Sequence, residues 1–230
     1  MRYISLFSGI EAASVAWEPL GWEPVAYSEI EPFCCELLKQ RFPNVPNLGD
    51  ITKIDWEGVK AKYGAIDLVC GGSPCQSFSI AGKREGLAGA SGLMWEYIRA
   101  VQAIRPKWLV WENVPGSLTV EHGAAFGQLL ESLAEFGYGL AWRVLDAQFF
   151  GLAQRRERIF LVGSLGSTAA CEVLFDDEGL RRNYPQSREK RKELAADSQR
   201  SPNGLHDYTL KLRHTGSENR GGGLRAISAD

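Results

Sequence analysis

No stretch of this 230-residue chain is apolar for long enough to span a bilayer. The N-terminus, Met1-Arg2-Tyr3-Ile4, runs directly into a strand-like segment rather than a leader, so no signal peptide is legible and a cytoplasmic location is expected. The five cysteines, Cys34, Cys35, Cys70, Cys75 and Cys171, form no C-x-x-C pair and no zinc framework. Their odd number argues against a disulfide scaffold. A basic excess is also missing: 26 Lys and Arg against 28 Asp and Glu leave a net charge of -2. Contact with a polyanion would therefore need a local basic cleft rather than overall charge. No internal repeat is apparent, and no G-x-G-x-x-G fingerprint follows any strand-like segment.

What is present is an ordinary globular composition, 44% hydrophobic and 23% charged, enough for one well-packed core. The pattern predicts strands over Tyr3–Phe7, Pro24–Glu29, Ala65–Cys70 and Lys107–Trp111, with a short further strand within Asn47–Thr52. Helices are predicted over Glu11–Leu20, Pro32–Phe42, Gly92–Ile104 and Ala124–Phe136. Two last strands, Ala141–Phe150 and Arg158–Gly163, lie close enough to form a hairpin. Strands alternating with helices imply an α/β, doubly wound, mostly parallel sheet, and the final pair implies an antiparallel strand near its end. Residues 1–165 are read as this domain. Residues 166–230, charged and then glycine-rich, are read as a linker and the start of a further region, partly disordered.

Open α/β sheets bind ligands at the carboxyl ends of their strands, so the loops there carry the candidates. Phe7-Ser8-Gly9-Ile10-Glu11 follows the first strand, and Gly9 would let the backbone turn and approach a ligand; a plain strand-to-helix turn reads equally well. Glu29 closes the second strand, where nucleotide-binding sheets place an acid for ribose hydroxyls, or it is a solvated carboxylate. Gly71-Gly72-Ser73-Pro74-Cys75-Gln76-Ser77-Phe78-Ser79 follows an apolar strand. Pro74 fixes the backbone before Cys75, the glycines leave room around it, and a cysteine at that edge is a candidate nucleophile. The other four cysteines read as buried and inert. Trp111-Glu112-Asn113-Val114-Pro115 would set a carboxylate beside the Cys75 loop if the two strands are neighbours. Gln154-Arg155-Arg156-Glu157-Arg158 has arginines at alternate positions, which share one side of an extended chain; a solvated charge run is the plainer reading.

In this order and at this spacing, the segments Ser5–Glu11, Gly72–Ser79 continuing into Gly82-Lys83, Glu112-Asn113-Val114 and Gln154–Arg158 resemble the DNA (cytosine-5)-methyltransferase family over roughly Met1 to Gly163. The resemblance implies a Rossmann-like sheet of the S-adenosylmethionine-dependent type, a role in DNA methylation and restriction-modification, and double-stranded DNA with a flipped cytosine as partner. It implies that Phe7 and Gly9 line the S-adenosylmethionine pocket, that Glu29 binds the ribose with Ile30 against the adenine, and that Asp50-Ile51 hold the adenine edge. It also assigns Pro74 to that pocket. Cys75 would attack C6 of the cytosine, Glu112 would engage N3, and Arg156 and Arg158 would fix the base and the Cys75 region. Gln76, Ser77, Ser79 and Asn113 would contact substrate. No metal is implied. Glu11 stands where the family's first motif usually has a second glycine. The family's late Arg/Gln-x-Leu-Thr-Pro-like and Gly-Asn-x-Val motifs are not found. The expectation is therefore either an active methyltransferase, completed by a second chain or minimal, or a truncated remnant that folds without methylating DNA.

Overall fold

The computed structural model describes residues 1–74 and 92–175. Six strands form one sheet: β1 (Arg2–Leu6), β2 (Glu23–Ser28), β3 (Leu68–Gly71), β4 (Trp108–Asn113), β5 (Tyr138–Asp146) and β6 (Glu157–Leu165). Their order is β2-β1-β3-β4-β6-β5. The pairs β1–β2, β1–β3 and β3–β4 are parallel, and β4–β6 is antiparallel. This is the expected doubly wound, mostly parallel sheet with one reversed strand.

The helices are α1 (Ala12–Trp17), α2 (Pro32–Arg41), α3 (Trp56–Tyr63), α4 (Gly92–Ile104), α5 (Ala124–Glu135) and α6 (Ala169–Leu174). In α4, Met94, Tyr97, Ile98, Val101 and Ile104 recur at helical spacing and are all buried. In α5, Phe126, Leu129 and Leu133 do the same. With Trp56 and Val59 of α3 they cover one face of the sheet, against Ile4, Leu6, Val69, Leu109 and Trp111. On the other face, Ala13 and Trp17 of α1 pack on Tyr3, Leu68 and Cys70, and Ala170 of α6 on Ala141 and Val162. Both faces being covered, the parallel strands read as nearly continuous apolar runs. Each fully buried side chain such as Leu129 or Leu133 contributes about 1.5–3 kcal/mol relative to exposure.

Several local expectations are corrected. Asn47–Thr52 is no strand: Asn47 makes a single bridge to Tyr27, and Ile51–Lys53 forms a 3-10 turn. Gly49, at φ 75°, breaks the extended path between them. The first helix stops at Trp17 and gives way to a 3-10 turn over Glu18–Leu20, because Pro19 lacks the N–H an α-helix needs. The Ala141–Phe150 strand instead runs from Tyr138 to Asp146, and Ala147–Phe150 is a 3-10 turn whose Gln148 N–H is capped by Asp146. Helix α3 was not expected; its charged Glu57, Lys60 and Lys62 mask the buried pair Trp56 and Val59.

Two compact units are distinguished: Met1–Leu145 with Glu157–Asp176, and Asp146–Arg156 with the remainder of the chain. Among the described residues no helix is long and apolar enough to cross a membrane.

Candidate active site

The strand order reverses between β1 and β3, which opens a crevice at their carboxyl ends. β4 ends at the same edge. Because β6 is antiparallel, its first residues also arrive there: Asn113 pairs with Ile159 and Glu112 with Phe160.

At the end of β1 the backbone turns through three left-handed residues, Phe7 (φ 53°), Gly9 (φ 55°) and Glu11 (φ 63°). A non-glycine residue in that region costs about 1–2 kcal/mol, so the surroundings must hold the turn in place. They do so from both sides. The Ser8 N–H donates to the Ser28 carbonyl at 3.2 Å, and the Glu11 N–H to the Ser8 carbonyl at 2.9 Å. The Gly9 N–H donates to Glu29 Oε2 at 2.6 Å. Glu29 Oε1 accepts the N–H groups of Ile30 and Glu31, both at 2.8 Å. Glu29 therefore clamps the β1 loop to the end of β2, and Ile30 beside it is 69% exposed.

Asn47 ties the next loop to this one. Its Oδ1 accepts from the Glu29 and Gly49 N–H groups, and its Nδ2 donates to the Glu29 carbonyl and to Cys35 Sγ. Asp50 then caps the 3-10 turn by accepting from the Thr52 N–H and hydroxyl. Those two hydrogen bonds, with Lys53 at 3.3 Å, hold its carboxyl below the usual aspartate range. Ile51 is buried in the core. Arg99 of α4 secures this turn from beneath by donating to the carbonyls of Ile51 and Ile54, both at 2.9 Å.

β3 leaves the sheet through Gly71 and Gly72. A Cβ on Gly71 would lie 2.5 Å from the Leu6 carbonyl, and one on Gly72 would lie 2.6 Å from the Glu112 carbonyl and 2.9 Å from Glu112 Oε2. Only glycine lets the chain pass between β1 and β4 here. Asn113 Nδ2 then donates to the Ser73 carbonyl at 2.8 Å, and Trp111 Nε1 to Ser73 Oγ at 3.3 Å. Arg158 Nε meets Glu112 Oε1 at 3.1 Å, with the two side chains 22% and 37% exposed. The Cys70 thiol, by contrast, is buried against the Ile4 carbonyl, and burial pushes it well above the usual thiol range. It is an inert core group.

A family profile described as C-5 cytosine-specific DNA methylase matches residues 1–221. The chain belongs to this methylase family. Among curated relatives, it is 38% identical to the type II methyltransferase M.AquIA of Picosynechococcus, over 73% of this chain and 73% of that protein. It is 37% identical to the orphan methyltransferase M.SPRI of Bacillus phage SPR, over 71% of this chain and 37% of that protein. It is also 40% identical, over 84% of this chain, to a protein of Escherichia phage P1 named a DNA N-6-adenine-methyltransferase, of which it spans 32%. The chain thus spans about a third of the length of several relatives it matches. Solved structures share the fold: S. pombe Dnmt2 superposes with a TM-score of 0.65 at 19% identity, covering 83% of this chain and 58% of that one. A DNA modification methyltransferase from an E. coli prophage gives 0.62 at 23% identity, covering 72% and 47%.

In this methylase-family chain the sheet gathers Phe7, Gly9, Glu29, Ile30, Asp50 and Ile51 along β1, β2 and the Asn47–Lys53 loop. It gathers Gly72, Ser73, Glu112, Asn113 and Arg158 along β3, β4 and β6. Pro74 is exposed and ends the described segment. Cys75, Gln76, Ser77 and Ser79 lie outside the described residues. Arg156 belongs to the second unit, where its N–H donates to Asp146 Oδ1 at 2.9 Å. Asn113 is buried, with its amide committed to Ser73 and Val114. The supporting roles of Ser73, Trp111, Asn47 and Arg99 escaped the sequence reading. Ser73 had a signal in its place before Pro74-Cys75; Asn47 and Arg99 had none, because the contacts that tie them to other loops, to Glu29 and to the Ile51 and Ile54 carbonyls, are with residues far away in sequence. Among the described residues no three His, Cys, Asp or Glu side chains cluster as metal ligands.

Proposed function

We propose that this chain carries out the chemistry of a DNA (cytosine-5)-methyltransferase, with S-adenosylmethionine as methyl donor and Cys75 as nucleophile. The observation that carries the reading is the docking of β3 on β4. Gly72 runs against Glu112, Asn113 holds Ser73, and Arg158 pairs with Glu112, at the end of the segment that precedes Cys75 in sequence.

The residues on β1 and β2 fit the methyl donor. The space around Gly9 is open, with nothing within 4 Å of where a Cβ would stand. Glu29 Oε1 already accepts two N–H groups, but Oε2 accepts only that of Gly9 and keeps acceptor capacity for a ribose hydroxyl. Exposed Ile30 offers an apolar surface for a purine. When bound, S-adenosylmethionine would supply an electrophilic methyl group on a sulfonium.

C5 of cytosine is too weak a nucleophile to take a methyl group unaided. The Cys75 thiolate would add to C6, which makes C5 enamine-like. Glu112, as the protonated acid, would donate a hydrogen bond to N3 and so stabilise the negative charge that develops on the ring, and Arg158 would orient the Glu112 carboxyl. After methylation, loss of the C5 proton to a base reforms the ring double bond and expels the thiolate. Because C6 is inaccessible in a stacked duplex, the base must flip out. Arg156, Gln76, Ser77 and Ser79 would contact the flipped base or its backbone.

An adenine N6 methyltransferase would use the amine's own lone pair and need no thiol, so the Cys75 loop favours cytosine. The test is transfer of labelled methyl from S-adenosylmethionine to duplex DNA, with the product base identified after hydrolysis. The chain is assayed alone and with a polypeptide bearing the late motifs. 5-Methylcytosine, absent in Cys75→Ser, is expected; N6-methyladenine, or no transfer in either format, overturns the proposal.

A further inference from the structure

Glu11 is the least exposed acidic side chain among the described residues, with 0% of its surface accessible. It stands at φ 63° and ψ 63°, a conformation glycine adopts freely and glutamate does not. Its side chain folds beneath the loop rather than toward the crevice. Oε1 accepts from the Ser14 N–H at 2.9 Å and from the Ser14 hydroxyl at 3.0 Å. Ser14 Oγ meets the Tyr3 hydroxyl of β1 at 2.6 Å and the Tyr27 hydroxyl of β2 at 2.9 Å. All four side chains are buried. One residue of the β1 loop is therefore wired to α1, β1 and β2 through a single serine.

We infer that Glu11 is a positioning residue for the methyl-donor loop: its buried carboxyl replaces a glycine's freedom with an anchor that holds Phe7, Gly9 and the Glu29 clamp in register. This rests on the proposal that the loop binds S-adenosylmethionine.

Three observations support it. A strained backbone persists only where its surroundings over-determine it, and the Ser14–Tyr3–Tyr27 cluster is what surrounds Glu11. The Glu11 N–H also closes the Ser8–Glu11 turn, so the anchor and the loop shape are one unit. Finally, the carboxyl is buried among serines of β1 and its loop, Ser5 and Ser8, as well as Ser14 of α1, so it is held by the segment it supports. Burial pushes the carboxyl up, opposed by the Ser5, Ser14 and Ser8 groups. The other ionisable groups near it are Tyr3, Tyr27 and Cys70, whose own values burial raises, Tyr27 to about 12. Glutamine keeps the side-chain length and an oxygen to accept from the Ser14 N–H and hydroxyl.

The experiment compares the full chain with Glu11→Gln, Glu11→Ala and Glu11→Gly. S-adenosylmethionine affinity is measured by equilibrium dialysis, and amide hydrogen exchange is followed at Gly9, Ser14 and Leu109 without the donor. Expected is near-native behaviour for Glu11→Gln. Glu11→Ala and Glu11→Gly should bind about tenfold more weakly or worse, with exchange at Gly9 and Ser14 faster by a similar factor and Leu109 unchanged. Native-like exchange at Gly9 and Ser14 in Glu11→Gly overturns the inference, as does equal acceleration at Leu109, which would mark general destabilisation. If the native chain itself binds no S-adenosylmethionine, the functional proposal fails on that arm, while exchange still decides whether Glu11 anchors the loop.

Discussion

The amide of Asn113 donates to the carbonyl of Ser73 at 2.8 Å, across two neighbouring parallel strands and next to the segment that leads into Cys75. Both residues are buried, so water cannot replace the bond when it is lost. Removing the amide strands a buried carbonyl, which costs about 1–3 kcal/mol. Asn113→Ala should lower stability to urea by that amount. It should reduce the methyl-transfer rate more than it weakens S-adenosylmethionine binding, since Asn113 lies on the β3–β4 side of the crevice. Equal losses in both would show that Asn113 acts only through general stability.

Gly72→Ala places a methyl group 2.6 Å from the Glu112 carbonyl, a backbone atom held in β4. Relief requires moving one strand end away from the other. A destabilisation of about 1–3 kcal/mol is expected in chemical unfolding, together with loss of methyl transfer. Gly116→Ala is the control, because nothing lies within 4 Å of its Cβ position.

Arg158→Ala separates stability from chemistry. Its ion pair with Glu112 is partly exposed, and such pairs contribute under about 1 kcal/mol. Thermal unfolding should therefore shift little. Methyl transfer should fall by about tenfold or more if Arg158 orients the carboxyl that engages N3. A transfer rate within twofold of native at saturating substrates, about 0.4 kcal/mol, would remove Arg158 from the machinery.

Asp67 supplies a pH dependence whose sign is determined. Its carboxylate accepts the Arg2 N–H at 3.0 Å, and that bond, assisted by Lys107 at 3.6 Å, holds its value below the usual aspartate range. A lowered folded value stabilises the fold fully above about pH 4, and the contribution disappears as pH falls through the folded value. Native chain should exceed Asp67→Asn in stability by under about 1 kcal/mol near neutrality, given the partial exposure. The gap should close in acid. A gap that widens below pH 4 would contradict the assignment.

Much of this was legible in the chain itself. Apolar runs and helical spacing located β1 to β4, α4 and α5, since burial on both faces of a parallel sheet leaves a strong pattern. The Gly72–Ser79, Glu112-Asn113-Val114 and Gln154–Arg158 segments carried the resemblance to the methylase family that the family profile bears out. Local sequence was weaker where backbone details decide. Gly49 and Asp50 turned an expected strand into a 3-10 turn, and a mixed-charge surface hid α3. Only the tertiary structure decided who meets whom. The reversal of β6 brings Arg158 to Glu112, the crossing of β3 presses Gly72 on the same carboxylate, and the fold around α1 buries Glu11 beneath the loop it anchors. Those partners are set by strand order and register, which depend on the whole sheet closing at once, so no local stretch of sequence encodes them.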